Sequence, residues 1–128
     1  MPEWDSYKAE AKARGSLAFE LYVVQSTPAK SPEDLKANLP DHLAYQGKLE
    51  AEGKLVFAGP MSDETGTQMQ GIGLIIYRAE SFEAARMMAK ADPMHVSGAR
   101  SFTLRKWMIN EGSFTVKVGL SQQSVELG

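Results

Sequence analysis

The amino-acid sequence predicts an α+β fold, in which two helices cover one face of an antiparallel sheet. Three observations support this prediction. Four short segments alternate apolar and polar residues or are apolar throughout, as strands are. Two longer segments repeat apolar residues at spacings of three and four, as helices do, and Gly and Pro separate the segments. With 128 residues, 43% of them apolar, the chain fits one such domain.

The first strand and the first helix come early in the chain. Residues 17–25, LAFELYVVQ, alternate as a strand. Ser31 suits the N-cap and Pro32 the first position of a helix that ends near Gly53. Pro40 predicts a kink or a two-piece helix. The stripe that we expect to face the sheet consists of Leu35, Leu39, Leu43, Gln46 and Leu49.

The second half of the chain repeats this pattern. Residues 54–60, KLVFAGP, and 71–79, GIGLIIYRA, predict two strands joined by a polar loop. Ser81 caps a second helix. The inner stripe of that helix is Phe82, Ala85, Met88 and Ala89. Residues 101–109, SFTLRKWMI, alternate as a fourth strand, and residues 113–120 are predicted to add an edge strand before a frayed tail.

The resulting order is strand, helix, strand, strand, helix, strand, which is the split βαβ or ferredoxin-like sandwich. Its helices cover one face of the sheet only. Since Tyr22, Phe57 and Trp107 are available for the other face, a second sheet is the simplest partner. The sequence therefore predicts a symmetric homodimer.

Three parts of the chain are expected. Residues 1–16 form an N-terminal arm, which is either a short helix or a loose extension. Residues 17–110 form the ferredoxin-like domain, and residues 111–128 form the C-terminal edge strand and tail.

Composition and charge exclude several classes of protein. The net charge of −2 and the pI near 5.7 argue against a nucleic-acid-binding protein, which carries a basic face. Without cysteine there is no disulfide framework, thiolate nucleophile or zinc ribbon. The charged N-terminal segment does not resemble a signal peptide, and the apolar run 72–77 is too short to cross a membrane. We expect a cytoplasmic protein with no membrane or nucleic-acid partner.

Three segments resemble the YCII-related (YciI-like) domain family in their order and spacing, over about residues 17–109. They are HLAYQGKLEAEGKLVFAGPMSDETG, GIGLIIYRAESFEAARMMAKADPM and SFTLRKW. The resemblance implies a dimeric α/β barrel of ferredoxin-like subunits. It also implies an active site made from the helix histidine and the Asp-Pro aspartate, here His42 and Asp92. A related dehydrochlorinase implies, by analogy, acid–base chemistry on a ring substrate.

The sequence departs from the usual pattern of that family in three places. It has the N-terminal arm, a second histidine at His95, and an extension after Trp107. These departures leave the shape of the pocket and the substrate open.

His42 and Asp92 each have a structural interpretation beside the catalytic one. A half-buried His42 would donate to a backbone carbonyl, whereas a catalytic His42 would transfer protons, which imidazole does well near neutral pH. Asp92 precedes Pro93 and suits the N-cap of a short turn. Both roles fit together if the carboxylate caps the turn and also accepts a proton from the imidazole. We therefore expect an imidazole nitrogen of His42 roughly 2.7–3.2 Å from an Asp92 carboxylate oxygen, or joined to it through one water, in a cleft that also touches Gly59 or Pro60.

Other residues complete the predicted pocket. Ala58, Gly59 and Pro60 are expected to form a wall, and Ser62 is either a hydroxyl donor in the pocket or an ordinary loop serine. His95 is interpreted as a rim or solvent-exposed residue, with lining of the pocket as the alternative.

A metal site made from His42, Asp92 and His95 is chemically conceivable, but no HxH or HExxH spacing supports it. No cofactor motif is present, and Gly71 and Gly73 are interpreted as strand glycines rather than as part of a dinucleotide site. We therefore expect neither a metal nor a cofactor.

The predicted function is that of a small-molecule enzyme with a His–Asp dyad for general acid/base chemistry. Its reaction would be a proton abstraction, an elimination or an isomerisation of a carbonyl or ring metabolite. The alternative is a non-catalytic module that binds a small ligand or serves as an accessory dimer.

Overall fold

The computed structural model describes all 128 residues and confirms the predicted α+β fold. In chain order the elements are α1 (Trp4–Ala13), β1 (Phe19–Pro28), α2 (Pro32–Ala51), β2 (Leu55–Ser62), β3 (Met69–Tyr77), α3 (Phe82–Ala91), α4 (Pro93–Val96), β4 (Arg100–Ile109), β5 (Val116–Gly119) and β6 (Ser124–Leu127). Two compact units are present: Glu20–Trp107, and Met1–Phe19 together with Met108–Gly128. None of the helices combines the length and the apolar character needed to cross a bilayer.

The four-stranded sheet has the order β2-β3-β1-β4. The β2–β3 hairpin is antiparallel, and β1 also pairs antiparallel with β3. This arrangement places the first strand between the third and the fourth, as the split βαβ unit requires. The ferredoxin-like prediction is therefore confirmed.

One apolar core lies between this sheet and the helices α2 and α3. Its fully packed members are Tyr22, Val24, Leu49, Ile75, Tyr77, Ala85 and Ala89. Tyr22 was expected on the uncovered face, but in the strand it is in phase with Val24 and therefore points toward the helices. Phe57 and Trp107 are about half exposed, at 50% and 47%, as residues on a face without helices are.

Helix α2 begins as predicted, since Ser31 Oγ accepts a hydrogen bond from the Asp34 backbone N–H at 3.3 Å. The helix runs unbroken through Pro40, so the two-piece alternative is wrong. The inner stripe was predicted incorrectly at two positions, because Leu39 and Leu43 are 43% and 58% exposed.

The inner face of α2 consists instead of residues shifted around the helix axis. Leu49 is buried, Tyr45 packs against the core, and His42 lies on the same side. Because these positions are three and four residues apart, they also form a continuous helical face. Leu39 and Leu43 therefore lie on a different side of α2, away from the core.

The segment after β3 forms as expected. Ser81 Oγ accepts from the Ala84 backbone N–H at 3.0 Å and caps α3. Ala85 and Ala89 are fully buried. The helix ends at Ala91, and Asp92 is the N-cap of the four-residue helix α4.

The smaller unit contains both ends of the chain. Residues 4–13 form a helix, and the Leu17 backbone N–H donates to the Asn110 carbonyl at 3.1 Å. Strand β5 does not extend the main sheet. It pairs with β6 in a separate two-stranded sheet, so the predicted edge strand and frayed tail are wrong here. The reason is local, since apolar partners such as Val118 and Val125 face each other across this hairpin.

Candidate functional site

His42 of α2 and Asp92 of the α3–α4 junction are in direct contact. The Nδ1 atom of His42 lies 2.8 Å from Oδ1 and 2.8 Å from Oδ2 of Asp92. Asp92 is fully buried, whereas the His42 side chain is 17% exposed. The expected contact is therefore present, with the carboxylate inside and the imidazole between it and solvent.

The backbone explains why Asp92 lies at this point. The following proline excludes the helical region, and Asp92 accordingly has φ −61° and ψ 125°. Its Oδ1 accepts a hydrogen bond from the Met94 backbone N–H at 2.9 Å and so caps α4. The same carboxylate therefore caps a helix and binds His42, and these hydrogen bonds offset the cost of burying a charge.

The contact with Asp92 determines which ring nitrogen of His42 carries the proton. An ionised carboxylate only accepts hydrogen bonds, so His42 Nδ1 must be the donor. In the neutral ring, the lone pair then lies on Nε2. This atom makes no hydrogen bond to any protein group, and His42 lines a cleft. The arrangement can thus accept a proton from a molecule bound in that cleft.

The cleft beside His42 has a volume of about 590 Å³, which lies within the range of roughly 300–1,000 Å³ typical of small-molecule sites. Helix α2 contributes Leu39, His42, Leu43, Gln46 and Glu50 to its wall. The two exposed leucines of α2 therefore form an apolar wall beside the imidazole.

Strand β2 forms the wall that the sequence predicts, because Ala58, Gly59 and Pro60 all line the cleft. Ser62 does not line it. The pairing of β2 with β3 shifts register between Pro60 and Ser62. Beyond this shift Ser62, the last residue of β2, has an exposed hydroxyl that donates to the Asp63 carbonyl at 2.9 Å.

A second polar cluster, which the sequence patterns did not predict, borders the cleft. Arg100 Nε donates to Ser26 Oγ at 2.9 Å, and Ser26 Oγ lies 2.9 Å from His95 Nε2. His95 Nδ1 lies 2.7 Å from the Ala89 carbonyl oxygen. Ser26 and Arg100 line the cleft, whereas His95 lies behind them.

The acceptors in this cluster determine which atoms carry the protons. A carbonyl only accepts, so His95 Nδ1 carries the proton and Nε2 accepts from the Ser26 hydroxyl. Burial lowers the pKa of His95 and outweighs the opposing effects of the Ala89 carbonyl and of Asp92. His95 is therefore a neutral acceptor rather than the solvated rim residue that we expected.

The alternation of inward- and outward-facing residues along β1 and β4 could have revealed this cluster. Arg100 is in phase with the inward-facing Phe102 and Leu104 of β4. Ser26 is likewise in phase with Tyr22 and Val24 of β1. An inward-facing charged or polar residue needs hydrogen-bonding partners, so this alternation indicates a polar cluster at the ends of these strands.

The charge of Asp92 also affects two tyrosines. Burial, and secondly Asp92, raise the pKa of Tyr45 and of Tyr77. The Tyr45 hydroxyl donates to the Met88 carbonyl at 2.7 Å, and this bond ties α2 to α3 beside the dyad. Gln46 Oε1, one turn after His42, is a buried acceptor without a protein donor, so a ligand donor in the cleft would satisfy it.

The acidic and histidine side chains do not form a metal cage. No group of three or more His, Asp or Glu side chains converges as a metal ion would require. His95 in particular uses both ring nitrogens in the contacts to Ser26 and Ala89.

Comparison with known proteins adds to this geometry. The sequence profile of the YCII-related domain matches residues 19–108, which is most of the chain. The chain belongs to this family. It is also 33% identical over 70 residues to the uncharacterized protein YjpA of Bacillus subtilis (strain 168), covering 55% of this chain and 75% of that protein.

A solved structure shares the fold. It is that of 5-chloro-2-hydroxyhydroquinone dehydrochlorinase from Burkholderia phenoliruptrix AC1100 in complex with 2,5-dihydroxybenzoquinone. The similarity has a TM-score of 0.52 at 24% identity and covers 68% of this chain and 92% of the other. It shows that this chain and the dehydrochlorinase share one fold.

Proposed function

We propose that this YCII-related protein is a small-molecule enzyme in which His42 acts as the general acid/base and Asp92 orients it. The observation that carries this proposal is the contact of His42 Nδ1 with both Asp92 oxygens, which leaves Nε2 unpaired beside a cleft. A carboxylate that binds Nδ1–H stabilises the imidazolium that forms when Nε2 takes a proton.

The reaction class is proton abstraction next to a carbonyl or from an oxidised ring. Nε2 of His42 takes the proton, and the C–H electron pair becomes part of an enolate. In an isomerisation the imidazolium returns the proton to another atom of the substrate. In an elimination, a leaving group on the adjacent carbon departs with its bonding pair as a double bond forms. We infer that neither route requires a cofactor.

Two features support a ring or carbonyl substrate. The wall of the cleft is mainly apolar, with Leu39, Leu43 and Pro60 near the imidazole, and a flat organic molecule suits such a wall. The dehydrochlorinase with the same fold acts on a chlorinated hydroxyhydroquinone and was solved with a dihydroxybenzoquinone. A substrate of the same chemical type is the first candidate for this chain.

We also propose that two copies of the chain pair through the uncovered face of the sheet. Val23, Leu74 and Trp107 border an apolar depression there, and Phe57 is half exposed. Analytical ultracentrifugation at micromolar concentration is expected to show twice the chain mass of 14.0 kDa. A species of one chain mass would contradict the pairing.

The test of the enzymatic proposal begins with a screen of carbonyl and hydroxyquinone metabolites for thermal stabilisation and turnover. With any substrate found, His42→Asn is expected to lower turnover roughly 100- to 10,000-fold while leaving the folded spectrum unchanged. Asp41→Asn, at the exposed neighbouring position, is the matched control. Turnover close to that of the unmodified protein in His42→Asn would remove His42 from the mechanism, and binding without turnover would identify a ligand-binding module instead.

A further inference from the structure

Arg100 introduces a positive charge into a mainly apolar cleft, whose other polar lining residues are Ser26, His42, Gln46 and Glu50. It is the first residue of β4, and it is the only Lys or Arg among the residues that line the cleft. It is partly buried, so its guanidinium is not simply a solvated surface group.

Neutral acceptors hold the guanidinium in place. Nε donates to Ser26 Oγ at 2.9 Å, and Nη2 donates to the Ser26 carbonyl at 3.0 Å and also to the Gly71 carbonyl. Gly71 has φ +87°, and a Cβ at this position would lie 3.2 Å from Pro28 Cγ. A glycine is therefore needed where this carbonyl meets Arg100.

No acidic side chain pairs with Arg100. The ion pairs of the protein join other residues, and the carboxylate of Asp92 is already bound by His42 and by the Met94 backbone N–H. Burial lowers the pKa of Arg100, against the opposing effect of Asp92, yet a guanidinium stays protonated in proteins. Its Nη1 makes no hydrogen bond with the protein, so a cation with free donors borders the cleft.

His95 positions this cation. Because its Nδ1–H is used by the Ala89 carbonyl, Nε2 accepts the Ser26 hydroxyl proton. This leaves a lone pair of Ser26 Oγ for Arg100 Nε–H. The chain of hydrogen bonds thus fixes the direction of the guanidinium from behind the wall of the cleft.

We propose that Arg100 forms an anion-binding subsite of the cleft, and that the substrate carries a carboxylate or a ring oxyanion that the guanidinium binds. The inference rests on the proposed function and narrows its substrate class. Arginine suits the role because the two N–H groups of Nη1 remain available for charge-assisted hydrogen bonds to an anionic oxygen. A bound anion also supplies the negative partner that Arg100 lacks within the protein.

The test compares carboxylates with their neutral amides, which have nearly the same shape. Benzoate and benzamide form one pair, and 4-hydroxybenzoate and 4-hydroxybenzamide another, each titrated against the full-length protein by NMR. The unmodified protein is expected to bind the carboxylate of at least one pair roughly 10- to 100-fold more tightly, the effect of one charged hydrogen-bonding partner.

Substitutions assign that preference to a residue. Arg100→Gln is expected to remove it without weakening amide binding, and Arg100→Lys to keep part of it. Arg78→Gln is the matched control, since Arg78 is exposed and lines neither the cleft nor the depression on the uncovered face. The Arg100 Nε–H resonance of the unmodified protein is an independent readout, which is expected to shift with benzoate and not with benzamide.

The carboxylate preference and the turnover are separate measurements, so the anion-binding subsite can fail while the proposed function stands, and the reverse. His42→Asn is expected to keep the preference for carboxylates, because the charge that produces it belongs to Arg100. Equal or undetectable binding of both members of each pair by the unmodified protein would overturn the subsite. A preference that survives in folded Arg100→Gln would overturn it too. The catalytic role of His42 is decided separately by turnover.

Discussion

The Nδ1 atom of His42 lies 2.8 Å from each carboxylate oxygen of Asp92, although the two residues are 50 positions apart in the sequence. Asp92 is fully buried and also caps α4 through the Met94 N–H. The helix cap therefore fixes the carboxylate, and the carboxylate fixes the imidazole. A rigid partner of this kind would orient the imidazole for the general acid–base role proposed for it.

The first prediction concerns the tautomer of His42. In Asp92→Asn the amide can donate as well as accept, so the neutral ring is no longer held with its proton on Nδ1. We expect the population protonated on Nε2 to rise, while the cap on α4 survives because asparagine also accepts from Met94. Ring ¹⁵N shifts of His42 measure this directly. Asp41→Asn should leave them unchanged, and unchanged shifts in Asp92→Asn would contradict the assignment.

The second prediction concerns stability. His42→Ala leaves the buried Asp92 carboxylate without its imidazole donor, and hydrogen bonds to charged groups contribute about 1.5–3 kcal/mol to the free energy of unfolding. A double-mutant cycle of His42→Ala and Asp92→Asn in urea isolates the contribution of the contact. We expect a coupling energy in that range. Additive effects of the two substitutions would show that the contact contributes nothing.

The third prediction concerns the hydrogen bond that joins α2 to α3. Tyr45→Phe removes the donor to the Met88 carbonyl at 2.7 Å and is expected to lower the free energy of unfolding by about 1 kcal/mol. Tyr7→Phe is the control, because the hydroxyl of Tyr7 contacts Arg14 at an exposed position and its loss should cost little. Equal effects of the two substitutions would contradict the structural role of Tyr45.

The fourth prediction concerns pH. Burial lowers the pKa of His95 from 6.5 in the folded protein, so the unfolded chain takes up the proton first as the pH falls. Stability is then complete above about pH 6.5 and is lost progressively below it.

His95→Gln removes this titration, so the free energy of unfolding of the variant should fall less steeply between about pH 7 and pH 5. The variant is expected to be less stable at every pH, because it loses the contact between the His95 and Phe102 rings, whose centroids are 4.7 Å apart. Urea unfolding at a series of pH values gives both curves. A constant difference between the two proteins would contradict the prediction.

Local signals predict the position of Asp92, whereas its pairing with His42 follows from the family resemblance. Asp92 precedes a proline after a capped helix, and the resemblance to the YCII-related family pairs it with His42. Leu39 and Leu43 were assigned to the core for a physical reason. A stripe at spacings of three and four marks a helical face, but it does not distinguish a face that packs on a sheet from one that lines a cleft.

The cluster around Arg100 was missed because its bonds join distant positions. Ser26 is 69 residues from His95 and 74 from Arg100, and no local pattern specifies such pairing. Extending the alternation of β4 back to Arg100 would place this residue inward but would not identify its partners. The β5–β6 hairpin was missed for the opposite reason, since two four-residue strands are too short for their alternation to indicate a pairing partner.

The kinetics of a dyad double mutant test the central claim most directly. With a substrate from the screen, turnover is measured for His42→Asn, for Asp92→Asn and for the double variant, each verified as folded. Residues that act as a unit have non-additive effects. We predict a loss of at least about 100-fold in His42→Asn, a smaller loss in Asp92→Asn, and a double variant no slower than His42→Asn alone. Turnover near that of the unmodified protein in His42→Asn, or losses that multiply in the double variant, would contradict the account.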